Sequence, residues 1–157
     1  MGSVRRNHAL EHATISILMG RLGPDARLVG RATSSGFYIY GNVPSEDVEK
    51  SAEQGLSRLQ AGESVLAVSP LCGTNLAVAG VLAGLASTVT AGNRGRWERL
   101  PGVLLASMLA VLAAQPLGRW LQKYVTTSPD LRDVEIVEVR GSGRPRGNYY
   151  KVETARR

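Results

Sequence analysis

The sequence predicts an α+β fold, a small mixed α/β domain with a hydrophobic two-helix hairpin inserted before its C-terminal strands. Residues 4–22 carry apolar side chains at helical spacing, and Gly23-Pro24 ends that helix. Short runs rich in strand formers lie towards both ends of the chain. Two apolar stretches without charged residues lie between these runs. A chain of 157 residues is long enough to bury one core.

Short elements follow one another in the first half of the chain. Residues 27–33 and 36–41 predict a β-hairpin, because the second run is rich in strand formers and a Ser-Ser pair separates the two. Ser45 is expected to cap a second helix that extends to Gln60, with acidic residues in its first turn. Residues 65–68 predict a short buried strand, because four apolar residues stand together before a proline two positions later.

Residues 76–89 and 102–117 predict a helical hairpin of the transmembrane type. Each apolar stretch, with its flanks, has about 17–19 residues, the lower end of what spans a hydrocarbon core of about 30 Å. Gly80 and Gly84 form a G-x-x-x-G pattern, which is typical of closely packed membrane helices and marks a contact for other helices. The alternative is a buried helical hairpin in a soluble core. Aromatic residues of the kind found at membrane interfaces flank the stretches: Trp97, Trp120 and Tyr124.

The last part of the chain returns to strand-forming residues. Residues 134–139 and 149–152 predict a second β-hairpin around a connection rich in glycine, arginine and proline. The predicted regions are an N-terminal α+β region, a transmembrane hairpin and a basic β-hairpin region, at 1–73, 74–118 and 119–157.

Charge is unevenly distributed along the chain. The formal net charge is +6, and residues 119–157 alone carry nine basic and five acidic side chains. This excess suits anionic headgroups, so membrane lipids are expected partners. Nucleic acid is not expected, because the sequence offers no aromatic-plus-basic pattern. The chain does not open with a secretory signal pattern, which favours cytoplasmic termini, and a single cysteine excludes an internal disulfide.

The segment His8-Ala9-Leu10-Glu11-His12 has the H-x-x-E-H spacing of the inverted zinc-hydrolase signature. On a helix, His8 and His12 lie one turn apart with about 5–6 Å between their Cβ atoms, a spacing that suits two imidazoles on one metal ion. Glu11 lies on the same side and can accept a proton from an attacking water. The same stripe continues with apolar residues, so this face is expected to be buried. The alternative is a polar helix end whose histidines hydrogen-bond to backbone carbonyls.

A catalytic zinc site normally has three protein ligands, so a third ligand must come from elsewhere. Cys72 is the first candidate, because amide N–H groups at a helix start lower the pKa of a thiol and the thiolate binds metal. Three acidic residues of the second helix are the alternatives. Cys72 could equally be an ordinary buried small side chain. The alternative third ligands are Glu46, Glu49 and Glu53.

Several families share parts of this pattern. The segment His8-Ala9-Leu10-Glu11-His12-Ala13 resembles the zinc motif of the pitrilysin/insulysin metallopeptidases, which implies histidine ligands and a glutamate that activates water. The set of two histidines and Cys72 is similar to the metal triad of peptide deformylases, with the histidine motif in the opposite sense. The HALEHAT opening, with Cys72-Gly73-Thr74-Asn75 before two hydrophobic segments, resembles a family of small uncharacterised bacterial two-span membrane proteins. That resemblance implies an integral protein of the bacterial cell membrane.

These observations predict a membrane-anchored zinc-dependent hydrolase, foremost a metallopeptidase with a peptide substrate. His8, His12 and Cys72 are the expected ligands of Zn²⁺ or another divalent transition metal, and Glu11 is the expected catalytic base. The first alternative is a non-enzymatic membrane subunit or assembly factor with structural histidines. The second is a metal or redox sensor that acts through Cys72.

Overall fold

The computed structural model describes residues 2–23, 25–90, 96–144 and 147–157. It confirms the predicted α+β fold, with two apolar helices before the C-terminal strands. The chain forms two compact units. The first, which we call the α/β unit, contains Met1–Ser69 and Lys123–Arg157, and the second, which we call the helical-hairpin unit, contains Pro70–Gln122.

The α/β unit is built on one four-stranded antiparallel sheet. Its spatial order is β1-β2-β4-β3, so the two predicted β-hairpins are confirmed and pair with each other. Phe37 stands opposite Val152 where the N-terminal and C-terminal hairpins meet. Strand β1 is at one edge of the sheet. The strands are β1 (Val29–Thr33), β2 (Gly36–Tyr40), β3 (Val134–Arg144) and β4 (Gly147–Arg156).

Two helices, α1 (Gly2–Leu22) and α2 (Ser45–Gln60), cover one face of this sheet. Helix α1 lies over β1 and β2, and α2 lies over β3 and β4. The two helices approach closely at Gly55, where an added Cβ would stand 3.2 Å from the Cβ of Ala13. The largest fully buried apolar side chains of the unit are Phe37, Leu10, Leu18, Ile39, Leu131, Val48 and Val152.

Two local predictions in this unit are wrong. The N-cap of α2 is Pro44, which makes no side-chain capping bond, and Ser45 is the first residue inside the helix. The predicted strand at 65–68 is a 3-10 helix, Ser64–Ala67. The four apolar residues do not alternate with polar ones, and Val65 is 76% exposed, so the run has neither the burial nor the strand neighbour that a β-strand needs.

The helical-hairpin unit contains α3 (Gly73–Thr90) and α4 (Arg96–Leu121). A π-helical turn, Gln122–Thr126, follows α4, and from Lys123 onward the chain belongs to the α/β unit. The two helices pack on each other, and Ser87 Oγ lies 3.0 Å from Ser107 Oγ. At the other end of the hairpin, Gln122 Nε2 donates to Asn75 Oδ1 at 2.8 Å. Two segments, Gly73–Thr90 and Arg99–Thr126, are long and apolar enough to cross a membrane, and only 6% of an apolar 18-residue stretch in each is buried.

Gly80 and Gly84 lie on the side of α3 that faces away from α4. A Cβ added at either glycine would meet no described atom within 4 Å. The close approach inside the hairpin occurs at Gly118 instead, where an added Cβ would overlap the side-chain amide of Asn75. The G-x-x-x-G pattern therefore does not mark the α3–α4 contact.

Candidate metal centre

The three polar residues of the H-x-x-E-H segment lie together on α1 and face into the α/β unit. Glu11 is 5% exposed and His12 is 3% exposed, which agrees with the buried face expected from the sequence. The imidazole centroids of His8 and His12 are 4.3 Å apart, and the ring planes are tilted by 59°. One helical turn therefore brings the two rings side by side.

Each imidazole is oriented by a backbone carbonyl from a distant part of the chain. His8 Nδ1 lies 3.1 Å from the oxygen of Thr126, and His12 Nδ1 lies 2.8 Å from the oxygen of Ala67. A carbonyl oxygen only accepts hydrogen bonds, so each Nδ1 must carry the proton. In the neutral ring the lone pair is then on Nε2. Metal-binding histidines commonly have this arrangement, with the second ring nitrogen donating to a carbonyl or carboxylate.

The two Nε2 atoms converge on one carboxylate oxygen. Glu11 Oε2 is 3.7 Å from His8 Nε2 and 3.9 Å from His12 Nε2, which is beyond hydrogen-bond range. Within the described part of the chain, the buried His12 Nε2 has no hydrogen-bond partner. Leaving such an atom unsatisfied costs about 1–3 kcal/mol. An imidazole nitrogen with a free lone pair, next to a second imidazole and a carboxylate, fits a divalent transition metal.

Glu11 is packed against the backbone of an edge strand. An added Cβ at Gly30 in β1 would overlap the Glu11 carboxylate, so only glycine leaves room for this side chain. Burial raises the pKa of Glu11 from 4.5 to about 7, and the neighbouring His8 partly opposes that rise. A carboxyl with a pKa near neutrality can both accept and release a proton at pH 7.

Cys72 lies in the helical-hairpin unit, one residue before α3. Its sulfur accepts the backbone N–H of Thr74 at 3.4 Å, and its thiol is 3.4 Å from the Thr74 hydroxyl. The structure thus places Cys72 at a helix start, as predicted. The acidic alternatives stand on the exposed side of α2, away from its buried face, and the structure does not bring them to the buried histidine. These alternatives are Glu46, Glu49 and Glu53.

Other residues that build the centre have no place in the H-x-x-E-H pattern. Asn7 is 2% exposed, donates to the Thr33 carbonyl of β1 at 2.9 Å and accepts from the Thr154 hydroxyl of β4 at 2.7 Å. It ties α1 to both hairpins of the sheet. Its position, directly before His8 in a buried stripe, was the available sequence signal. Gly30 lies inside a predicted strand, where a glycine can indicate a close backbone approach. The carbonyls of Ala67 and Thr126 had no signal, because backbone groups leave no mark in a sequence.

A second surface also went unrecognised in the sequence. Tyr38, Tyr40 and Tyr149 lie together on the sheet face that α1 and α2 leave uncovered, with centroids 6.2 Å apart. Lys151 Nζ is 5.9 Å from the Tyr38 ring centroid. Three tyrosines and one lysine therefore share this face of the sheet. Lys151 is paired with Glu153 at 2.7 Å, however, so an acid offsets its charge.

Comparison with known proteins places the chain in a family. Residues 3–139 match the family described as Domain of unknown function (DUF6391). The chain belongs to this family. It is also 32% identical over 158 residues to an uncharacterized protein of Picosynechococcus sp., covering 92% of this chain and 75% of that relative. No solved structure matches the chain. The family and the relative carry no stated activity, so the chemistry of the centre has to be argued from its own geometry.

Proposed function

We propose that the protein is a membrane-anchored zinc-dependent hydrolase, foremost a metallopeptidase. The observation that carries the proposal is the arrangement on α1. Two imidazoles donate through Nδ1 to backbone carbonyls, and their Nε2 atoms converge beside a buried carboxyl group. Structural histidines would make the same Nδ1 bonds to carbonyls, so these bonds do not separate the two interpretations. The buried His12 Nε2, which has no hydrogen-bond partner among the described residues, favours a ligand role.

His8 and His12 are the proposed ligands, through Nε2. Cys72 is the proposed third ligand, since its sulfur accepts an amide N–H at a helix start, which favours the thiolate. A bound Zn²⁺ would supply Lewis acidity and would lower the pKa of a water molecule. Glu11, whose carboxyl group is buried beside both imidazoles, would accept the proton of the attacking water and return it to the leaving amine. The burial of Glu11 and His12 limits access of bulk water to these groups.

The helical hairpin is the proposed anchor in a bacterial cell membrane, with both termini in the cytoplasm and lipids as partners. Its support is the exposure of large apolar side chains along both helices, which a soluble protein would bury. Peptides at or in the bilayer are the proposed substrates, and nucleic acid has no part in the proposal. Large apolar residues exposed on the hairpin include Leu76, Val81, Leu85, Val89, Leu104, Leu105, Met108, Leu109 and Leu112.

Metal analysis of the full chain in detergent tests the centre. Wild type, purified without chelators, is expected to contain close to one zinc per chain. His8→Ala, His12→Ala and Cys72→Ala should each lose most of it, while the exposed control Glu46→Gln keeps it. Wild type without metal would remove the hydrolase proposal. Retention of zinc in Cys72→Ala alone would remove Cys72 from the ligand set.

Turnover of a peptide library by zinc-loaded protein tests the catalytic role. Glu11→Gln should keep the zinc and lose hydrolysis by at least about 100-fold, the size expected for removal of a general base. Glu46→Gln is the matched control, because it removes an exposed carboxylate. Unchanged hydrolysis in Glu11→Gln would contradict the role of Glu11.

A non-enzymatic membrane subunit is the second candidate, and the open side of α3 at Gly80 and Gly84 favours it. Other helices would pack there, and bulky substitutions such as Gly84→Leu would then abolish a complex without affecting zinc. A metal or redox sensor acting through Cys72 is the third, and oxidant-dependent loss of zinc would support it. Release of the chain by carbonate extraction would contradict the anchor that all three share.

A further inference from the structure

The turn that follows α4 presents its backbone carbonyls to α1. The last carbonyls of a helix have no partner within it and need donors from elsewhere. Arg5 supplies two, because its Nη2 donates to the carbonyls of Tyr124 and Thr127 at 3.0 Å each. The carbonyl of Thr126, which lies between these two in the sequence, receives His8 Nδ1 at 3.1 Å. Ser128 N–H in turn donates to the Arg5 carbonyl at 3.0 Å.

Arg5 and His8 are three residues apart on α1 and therefore share one face. The two bonds of Arg5 hold the residues on either side of Thr126, so they limit how the intervening peptide groups can rotate. A planar guanidinium is suited to hold two acceptors at once, whereas a lysine ammonium acts as a single flexible charge. The direction of the Thr126 carbonyl, and with it the proton position on His8, thus depends on Arg5.

We propose that Arg5 is a positioning residue that keeps His8 in the Nδ1–H tautomer by holding the backbone around the Thr126 carbonyl. Its value for catalysis rests on the proposed function, since in this tautomer the proton is on Nδ1 and Nε2 carries the lone pair through which His8 would bind metal. The tautomer itself does not rest on it. Without a fixed acceptor at Nδ1, a neutral imidazole in water favours the proton on Nε2, which removes the lone pair that faces Glu11.

His12 serves as an internal control for this inference. Its Nδ1 donates to the carbonyl of Ala67, in the 3-10 helix, which is not one of the carbonyls that receive the Arg5 bonds to the turn after α4. The chain has only two histidines, so a histidine-labelled sample contains only two imidazoles. Each signal can be assigned from the spectrum of His8→Ala or His12→Ala.

The test is ¹⁵N NMR of the histidine-labelled full chain in detergent and with chelator. The pH of the sample is about two pH units above the ordinary histidine pKa of about 6.5. In wild type both rings should show the Nδ1–H tautomer. In Arg5→Ala the His8 signals should move to a mixture dominated by Nε2–H, while those of His12 stay. Arg6→Ala, the same change at the next position, should alter neither ring, and Arg5→Lys should give an intermediate His8 spectrum.

An unchanged His8 tautomer in Arg5→Ala overturns the proposal, and so does an equal change in both rings, which would indicate general loss of structure. Zinc competition with a chelator provides the second readout. Arg5→Ala should bind zinc about 10–100-fold more weakly than wild type, as for other groups that orient a ligand, and Arg6→Ala should not. A wild type that binds no zinc defeats the proposed function, while the tautomer comparison still decides the role of Arg5.

Discussion

Replacing the proposed catalytic base should make the metal-free protein more stable at neutral pH. Glu11 has its pKa raised from 4.5 to about 7 by burial, so the folded state holds its proton more tightly than the unfolded state does. The stability that this proton provides is complete below pH 4.5 and is lost as the pH rises towards 7. A shift of that size corresponds to about 3 kcal/mol in the free energy of unfolding.

Glu11→Gln removes this dependence, because glutamine has the shape of the protonated carboxyl group and does not titrate. Wild type and Glu11→Gln should have nearly equal stability at pH 4.5. At pH 7, Glu11→Gln should be more stable by up to about 3 kcal/mol. A proposed active-site residue that lowers stability in this way is an instance of the trade-off between activity and stability.

Urea unfolding of the chelator-treated full chain in detergent, repeated between pH 4.5 and 8, measures the effect. Glu46→Gln is the control, since Glu46 is exposed and paired with Lys50. The difference between wild type and Glu11→Gln should shrink when zinc is added, because a bound cation favours the carboxylate. If the free energy of unfolding changed with pH in the same way in wild type and in Glu11→Gln, the reasoning would be refuted, since Glu11 would then titrate alike in the folded and unfolded states.

Two glycine substitutions test the packing. Gly30→Ala should lower the free energy of unfolding by about 1–3 kcal/mol, because its Cβ would overlap the Glu11 carboxylate. Gly20→Ala in α1 is the control, because its Cβ would meet open space, and it should leave the free energy of unfolding unchanged or raise it by about 0.5–1 kcal/mol. Urea titrations measure both effects. If Gly30→Ala lowered stability equally in a Glu11→Ala background, the contact between position 30 and the Glu11 side chain would not be the cause. Gly118→Ala should lower the melting temperature of the helical-hairpin unit, because the added Cβ would displace the side-chain amide of Asn75. Gly84→Ala is the control that should not change it, and equal melting temperatures for the two variants would contradict the packing at Gly118.

The elements that could be predicted are those with a strong local signal. The helix carrying His8, the Phe37–Tyr40 run and the two apolar stretches each have a period or composition that determines their conformation. The 3-10 helix Ser64–Ala67 could not be predicted, because four adjacent apolar residues have no period and their conformation depends on which neighbours are present. The predicted N-cap of α2, Ser45, differs by one residue from the observed N-cap, Pro44, and differences of this size are common at helix ends.

By itself, the sequence determined that two imidazoles and a carboxylate share one turn of a buried helix, because helical geometry is local. Only the tertiary structure decided which atoms these side chains meet. The carbonyls of Ala67 and Thr126 determine the tautomers of His12 and His8, and Gly30 makes room for Glu11. These partners are backbone groups 19 or more residues away, and their directions are set by packing between distant segments. The arrangement on which the proposed metal centre rests therefore comes from the fold around the five-residue pattern and not from the pattern alone.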